Sequence, residues 1–303
     1  MLQSSGMETR PVCCALVGNL LEPRVAECAT GLVAHLQRQG LKVLVAIEDA
    51  PAALPAGVQA VARAALPERC QLVISVGGDG TLLQAARLVA QHDVPVLGIN
   101  RGRLGFLTDV LPQDMVASID AILGGYYSAD RRRLLEARLV APDGSMRSEL
   151  ALNDVVLLRR ETGRMLDFET RVDGRFVNSH SGDGMVIATA TGSTAYALSC
   201  GGPIVDPRLD VLVMAPVCPH TLSDRPIVIP GDSTIAISLT GRGEGRADIT
   251  CDATQLGSMQ PGDRLEISNS GRSVTLLHPP GYDYFRLLRS KLHWGRGEEQ
   301  HER

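Results

Sequence analysis

The chain has 303 residues, a formal net charge of −4 and 44% hydrophobic residues, so one large domain or two ordinary ones can each bury a core. No apolar run approaches the roughly 18 residues of a membrane helix, and no basic start precedes a signal-type apolar segment, so we expect no membrane contact. The acidic balance argues against nucleic acid as a partner. The densest basic run, DRRRL at 130–134, is predicted to be solvated surface.

The cysteines and histidines indicate neither a disulfide framework nor a zinc site. Seven cysteines are scattered without a C-x-x-C pair, which predicts reduced, mostly buried thiols in a cytoplasmic protein. The seven histidines lack the spacing of zinc ligands. Only Lys42 and Lys291 are lysines, so nearly all basic side chains are arginines.

The first part of the chain alternates between strand and helix patterns. Continuous apolar runs of strand length are separated by segments with apolar residues at helical spacing. The predicted elements are strands at 12–18, 41–47, 71–76 and 94–99, and helices at 24–39 and 81–91, the first of which Gly40 ends. Strands that are buried on both faces predict a parallel sheet, and we assign 1–128 to an α/β domain.

After about residue 130 the hydrophobic period changes to two. Alternating segments are interrupted by Asp143-Gly144 and Asp173-Gly174, and Asp-Gly between alternating strands predicts a β-hairpin. The pattern continues to about residue 278, so we predict an antiparallel β domain at 129–279. The tail GYDYFRLLRSKLHWG turns helical, and we expect 280–303 to pack back on the first domain.

The sequence GGDGT, Gly77 to Thr81, lies where a strand ends and a helix begins. Unpaired N–H groups and the positive end of a helix dipole favour an anion there, and glycines permit positive φ and the close approach of a ligand. The structural alternative is a tight turn in which Asp79 or Thr81 caps the helix.

A carboxylate at a phosphate site indicates a catalytic role for that carboxylate. There is no G-x-x-x-x-G-K-[ST] and no G-x-G-x-x-G after the first strand, which excludes a P-loop NTPase and argues against a Rossmann dehydrogenase. Without a P-loop lysine, backbone N–H groups, arginine or a divalent cation must neutralise the phosphate. Asp79 is then placed to accept a proton from an attacking hydroxyl, which predicts phosphoryl transfer.

The second half carries two further polar motifs. Asn153-Asp154 opens a strand, and an amide paired with a carboxylate suits the two hydroxyls of a ribose; the alternative is a capped turn. The segment at 181–207 is a strand followed by a Gly/Ser/Thr turn and a short helical piece. Such small hydroxyl residues with one tyrosine could hold a planar base, although a surface loop is also consistent with them.

Together these motifs resemble the NAD kinase family, bacterial type. The residues that carry the resemblance are GGDGT (77–81), NRGRLGFLTD (100–109), Asn153-Asp154, DG (183–184), TGSTAY (191–196), GGPI (201–204), PHTLSDRPIV (219–228) and YDYFRLLRSKLHWG (282–295). GGDGT alone is shared with lipid kinases, but this ordered set is specific.

The resemblance implies ATP-dependent phosphorylation of the adenosine-ribose 2′-hydroxyl of NAD to give NADP, with a divalent cation such as Mg²⁺. It implies an α/β domain with a C-terminal β-sandwich domain that binds the dinucleotide, in a homotetramer or homodimer. Asp79 would be the proton acceptor. The implied binding residues are Gly77, Gly78, Gly80, Thr81, Asn153, Asp154, Arg164, Ser181, Asp183, Thr194, Ala195, Tyr196, Ala197, Leu198, Ser199 and Gln255.

Three positions depart from the family pattern. Ala190 stands where proline is common, Gln255 in CDATQL is one residue out of step, and Ser181 replaces an arginine that would pair with Asp183. Two rival functions remain open at this point. One is a lipid or sugar kinase that shares GGDGT, and the other is a non-catalytic NAD(H) sensor.

Overall fold

The structure is a computed structural model, which describes residues 10–50, 54–102, 105–160, 165–240 and 245–294. The chain forms two units, Met1–Arg131 with Val274–Arg303, and Arg132–Ser273. The sequence placed these divisions at 128/129 and 279/280. No helix in the described part of the chain is long and apolar enough to cross a membrane.

The first unit is built from parallel strands and the helices between them. Its elements are β1 (Cys13–Val17), α1 (Pro23–Arg38), β2 (Lys42–Ala46), β3 (Val58–Val61), α2 (Leu66–Arg69), β4 (Leu72–Gly77), α3 (Asp79–Val89), β5 (Val96–Asn100), α4 (Met115–Leu123) and the C-terminal α6 (Tyr284–Leu292).

The strands of this unit lie in the order β3-β2-β1-β4-β5, and all neighbours are parallel. Leu16, Ile74 and Leu97 of the central strands are almost fully buried against the helices, as continuous apolar runs require. The order reverses between β1 and β4. In an open α/β sheet, ligands bind outside the carboxyl ends of the strands at such a point, which is where GGDGT follows β4.

The sequence missed β3, α2 and α4. The apolar-run pattern does not detect β3, because three of its four residues are exposed or half-buried and form no continuous apolar run. Helix α3 begins at Asp79, two residues before the predicted start. Gly40 does end α1, and its φ of +81° is the left-handed conformation that glycine adopts after a helix.

The described part of the second unit consists of antiparallel strands and the short helix α5. Its elements are β6 (Ser128–Val140), β7 (Met146–Ala151), β8 (Asp154–Arg159), β9 (Leu166–Val172), β10 (Arg175–Gly182), β11 (Gly184–Thr189), α5 (Tyr196–Ser199), β12 (Val211–Val217), β13 (Ile227–Pro230), β14 (Ile235–Leu239), β15 (Ala247–Cys251), β16 (Thr254–Met259) and β17 (Arg264–His278). The ends of β6 and β17 belong to the first unit.

Two antiparallel layers enclose the core of this unit. One contains β13-β12-β11-β8-β15-β16, and the other contains β10-β9-β14 with the first part of β17. Phe168 of β9, Ile187 of β11 and Ile249 of β15 lie in the shared core, at most 1% exposed. Both Asp-Gly hairpins are confirmed; Asp173 and Gly174 have φ of +51° and +75°, the signature of a two-residue hairpin turn.

Candidate active site

GGDGT forms the junction of β4 and α3. Gly78 precedes the first residue of α3 in an extended conformation, with φ of −111°, and none of the three glycines has a positive φ. The three glycines therefore do not use the positive φ that glycine permits. A Cβ at Gly77 would overlap the Thr81 side chain, whereas Gly78 and Gly80 are exposed and face open space, so an anion can approach the backbone at the start of α3.

The Asp79 carboxylate holds the loop that follows β5. Its Oδ2 atom accepts a hydrogen bond from Phe106 N at 2.7 Å. Its Oδ1 atom accepts from Leu107 N at 3.1 Å, Thr108 N at 3.1 Å and Thr108 Oγ1 at 3.0 Å. Of these four bonds Oδ2 accepts one, which leaves it a lone pair for a hydroxyl group.

The capping role that the sequence left open for Asp79 and Thr81 is not observed. The residue at the cap position is Gly78, and no side chain of the described residues makes a capping hydrogen bond there. Gly105 explains why the loop can come so close, since a Cβ there would overlap the Asp79 carboxylate. Residues 105–108 of the NRGRLGFLTD motif are therefore the partner of the GGDGT motif within the first unit.

In the second unit, Asn153 lies in the turn between β7 and β8, and Asp154 is the first residue of β8. The carboxylate of Asp252 accepts hydrogen bonds from Leu152 N at 2.7 Å, Asn153 N at 2.8 Å and Asp154 N at 3.2 Å. Asn153 Oδ1 is buried and accepts no hydrogen bond from the described part of the chain. A buried acceptor without a donor is costly, so this oxygen is suited to a ligand hydroxyl.

Asp154 is only 6% exposed. Burial, and to a smaller extent the nearby charge of Asp252, raise the pKa of its carboxyl to about 7, and a hydrogen bond from the Tyr196 N–H opposes both effects. A carboxyl group with such a pKa is partly ionised near neutral pH. It can therefore accept a hydrogen bond in its ionised form or donate one in its neutral form.

The TGST turn packs directly on the Asn153 turn. Thr189 Oγ1 donates to Leu152 O at 2.6 Å and accepts from Gly192 N at 3.1 Å. A Cβ at Gly192 would overlap the Asn153 carbonyl group. Two motifs that lie far apart in the sequence therefore share one polar network within the second unit.

Arg132 also contacts this turn, which corrects the prediction for the basic run. Arg131 and Arg133 are exposed, but Arg132 is 4% exposed, and its Nη1 atom donates to Thr191 Oγ1 at 3.1 Å. The physical reason is the period of two along β6, which turns every second side chain inward.

Both halves of the chain match known families. The ATP-NAD kinase N-terminal domain model matches residues 15–127, and the ATP-NAD kinase C-terminal domain model matches residues 152–278. The chain belongs to the ATP-NAD kinase family. An NAD kinase of Nitrosococcus oceani is 43% identical over 281 residues, which is 93% of this chain and 96% of that protein. One of Alcanivorax borkumensis is 46% identical over 243 residues, 78% of this chain and 79% of that protein.

Solved structures of the ATP-NAD kinase family share the fold. An NAD kinase from Archaeoglobus fulgidus in complex with ATP has a TM-score of 0.69 and 26% identity, covering 93% of this chain and 98% of that chain. A yeast NADH kinase complexed with NADH has a TM-score of 0.85 and 24% identity, covering 93% and 88%. The predicted α/β domain followed by a β-sandwich domain is confirmed.

Of the remaining residues that the family resemblance selected, 194–199 form the end of the TGST turn and the short helix that follows it. Thr194 ends the 3₁₀ turn Thr191–Thr194, and α5 (Tyr196–Ser199) follows after Ala195. Within α5, Ala197 is buried, Leu198 is half-buried, and Tyr196 and Ser199 are exposed. Gln255 is exposed on β16, and Arg164 lies outside the described residues.

Asp183 has an arginine partner that the sequence did not suggest. Because Ser181 replaces the arginine that would pair with Asp183, the sequence predicts little support for this carboxylate. Instead, Arg159 Nε lies 2.7 Å from Asp183 Oδ1, and the two side chains are 30% and 32% exposed. Arg159 is the last residue of β8, and Asp183 directly precedes β11, the neighbour of β8 in the sheet. Arg159 N also donates to Asp183 O at 2.8 Å, so the expectation is corrected.

Sequence reasoning also missed Asp252 and Arg132. Asp252 and Ala253 both have positive φ, of +46° and +64°, so they form the tight turn between β15 and β16. Aspartate at such a turn is common for local reasons, and the sequence offers no signal that its carboxylate reaches a turn about a hundred residues away.

Proposed function

We propose that this chain transfers the γ-phosphoryl group of ATP to the adenosine-ribose 2′-hydroxyl of NAD and so produces NADP. One observation carries the proposal. The two family matches together cover both units, and each contains a polar centre built on its own motif: Asp79 with loop 106–108, and Asp252 with the Asn153–Asp154 turn. A lipid or sugar kinase that shares only GGDGT has no reason to keep the second centre.

The phosphates of ATP are proposed to bind at the start of α3. The exposed backbone at Gly78 and Gly80 and the helix dipole favour an anion there. The described residues contain no group of three histidine, cysteine or acidic side chains that could hold a metal ion. Mg²⁺ is usually held by one or two carboxylates together with substrate phosphates and water, so we propose that it enters as the Mg–ATP complex and neutralises phosphate charge.

Asp79 is proposed to accept the proton of the attacking hydroxyl. Its position is fixed by four hydrogen bonds, and Oδ2 retains a lone pair for the incoming proton. In the second unit, Asn153 Oδ1 and the Asp154 carboxylate are proposed to bind the ribose hydroxyls. Tyr196 and the rest of 194–199 would line the dinucleotide pocket, with Asp183 and Ser181 toward nicotinamide.

The deciding experiment is NADP formation by the purified chain with NAD, ATP and MgCl₂. NADP is measured by an enzymatic cycling assay specific for it, and parallel reactions offer diacylglycerol or a hexose phosphate instead of NAD. We expect phosphorylation of NAD alone and its loss in excess chelator. Consumption of ATP with a lipid or sugar but not with NAD would replace the proposal, and NAD binding without turnover would favour a sensor.

The homotetramer or homodimer predicted from the family resemblance remains a proposal, as does a cytoplasmic location. Light scattering after gel filtration measures the mass of the particle directly. A mass of one chain at micromolar concentration, with full NADP formation, would exclude an obligatory oligomer.

A further inference from the structure

The C-terminal segment of the first unit contacts both ends of the loop that holds Asp79. At one end, Lys291 Nζ of α6 lies 5.6 Å from the centroid of the Phe106 ring. At the other end, His278 Nδ1 donates to Asp109 Oδ2 at 2.9 Å. Phe106 carries the first of the three N–H groups that bind Asp79, and Asp109 directly follows the last of them.

His278 is fixed on several sides. It is 2% exposed, and its ring stacks on Tyr282 with centroids 3.8 Å apart and planes at 11°. Its Nε2 atom lies 3.9 Å from Asp130 Oδ2. The Asp283 side chain then accepts a hydrogen bond from Phe285 N and caps α6. The hydrogen bond to Asp109 is therefore anchored in a rigid part of the unit.

The loop is linked to Asp79 by direct hydrogen bonds. Thr108 is fully buried, donates twice to Asp79 Oδ1 and accepts from Asn100 Nδ2 at 2.8 Å. Asp109 is the next residue in the chain. A shift of Asp109 therefore moves Thr108, and Thr108 moves the carboxylate that it binds. A close-packed interior has no free volume in which one of them could move alone.

We propose that the C-terminal segment 278–292 positions Asp79 for catalysis. His278 and Lys291 hold loop 106–109, and that loop holds the carboxylate in the orientation in which Oδ2 meets the hydroxyl proton. Both are positioning residues and neither touches substrate. The inference rests on the proposed role of Asp79 as proton acceptor. Packing explains where this segment lies, and the proposal adds a role in catalysis.

The first test uses Asp109→Asn and a matched control in the same unit. His35 Nε2 pairs with Asp120 Oδ1 at 2.7 Å, so Asp120→Asn also removes a carboxylate from a histidine, but between α1 and α4. We expect Asp109→Asn to lower kcat about tenfold while KM for NAD changes less than about twofold, since small misplacements at a reacting centre cost rate rather than binding. Asp120→Asn should leave kcat unchanged.

A milder pair of variants guards against loss of folding. Lys291→Gln removes the cation over Phe106, and Lys42→Gln changes the only other lysine, which is exposed on β2. Exposed cation–π contacts are weak, so we expect a two- to fivefold lower kcat for Lys291→Gln and none for Lys42→Gln. Melting temperatures of all four variants show whether each protein is folded under the assay conditions.

Combination with Asp79→Asn separates the two proposals. If His278 and Lys291 act only through Asp79, Asp109→Asn should lower kcat in the native background and have no further effect in Asp79→Asn. Full turnover by Asp79→Asn would overturn the proton-acceptor role itself. Loss of turnover in Asp79→Asn, with Asp109→Asn and Lys291→Gln behaving like their controls, would leave that role intact and overturn the positioning role of the C-terminal segment.

Discussion

Asp79 and Asp252 solve the same structural problem in different units. Each carboxylate accepts hydrogen bonds from three consecutive backbone N–H groups, at 106–108 for Asp79 and at 152–154 for Asp252. Such bonds fix a loop more firmly than a single contact, because displacement of any one residue breaks several charge-assisted bonds.

The two aspartates differ in which partner carries the function. Asp79 is itself the proposed catalytic group, and the loop orients it. Asp252 is the support, and the residues it holds, Asn153 and Asp154, are the proposed ligands of the ribose. An aspartate bound to three N–H groups is therefore not diagnostic of catalysis, and the variants below separate the two uses.

The largest effect is expected for Asp79→Asn. A general base contributes about 10²–10⁴-fold to rate, so kcat should fall at least ~100-fold while NAD binding weakens far less. In this variant an NH₂ group replaces one carboxylate oxygen that accepts hydrogen bonds from backbone N–H groups. Two donors then face each other, so some stability is lost as well. Initial rates and NAD binding by calorimetry measure the two quantities.

Asp252→Asn is the matched control for that loss of loop support. It disturbs a clamp of the same kind, and we expect a higher KM for NAD with kcat affected far less than in Asp79→Asn. Equal losses of kcat in the two variants, in proportion to their losses of melting temperature, would mean that Asp79 acts only by holding loop 106–108.

The second effect concerns the residues that Asp252 supports. Asn153→Ala and Asp154→Ala should each lower kcat/KM for NAD, since a hydrogen bond to a charged or well-oriented partner is worth about 1.5–3 kcal/mol. Asn153→Ala removes a buried acceptor that has no donor in the described part of the chain, so its melting temperature should not fall. Collapse of folding in both variants with unchanged activity per folded molecule would support the capped-turn alternative.

The comparison also shows what the sequence can reveal. Hydrophobic periods gave both domains and the hairpins, and GGDGT and Asn153-Asp154 pointed to the two polar centres. The partners of those motifs were harder to find. Asp252 and Arg159 act on residues distant in sequence or across a sheet, and Arg132 in a basic run is buried by strand alternation alone. Pairing of this kind depends on sheet register, which local patterns do not specify.

The third prediction uses the proximity of Asp154 and Asp252. The Asp154 pKa rises from 3.8 to about 7 on folding, chiefly through burial. Between these values the folded state binds more protons than the unfolded state, so this group makes the free energy of unfolding decrease as pH rises. Asp154→Asn removes that contribution. The difference in unfolding free energy between native protein and variant should therefore change with pH across this window and become constant above it.

Urea unfolding at several pH values provides the test, because other ionisable groups cancel in the difference. Asp248→Asn on β15 is a suitable control, since the Asp248 carboxylate of the native protein is half-buried and accepts a hydrogen bond from Ser258 Oγ. A difference between native protein and Asp154→Asn that stays constant from acid to neutral pH would show that Asp154 is not held in a protonated form by its surroundings.

The smallest effect concerns the choice between NAD and NADH. Oxidised nicotinamide carries a positive charge that the reduced ring lacks, and Asp183 is proposed to lie toward it. Arg159 neutralises part of that carboxylate, and both side chains are about one-third exposed. A partly solvated charge interaction is worth about 0–1 kcal/mol, so NAD should be preferred in kcat/KM by no more than about fivefold.

Removing the cation with Arg159→Gln should increase the preference, and Asp183→Asn or Ser181→Arg should reduce it. Assays of all four proteins with both dinucleotides decide the matter: a preference for NADH in the native protein, or an unchanged ratio in Asp183→Asn, would show that this carboxylate does not set the selectivity.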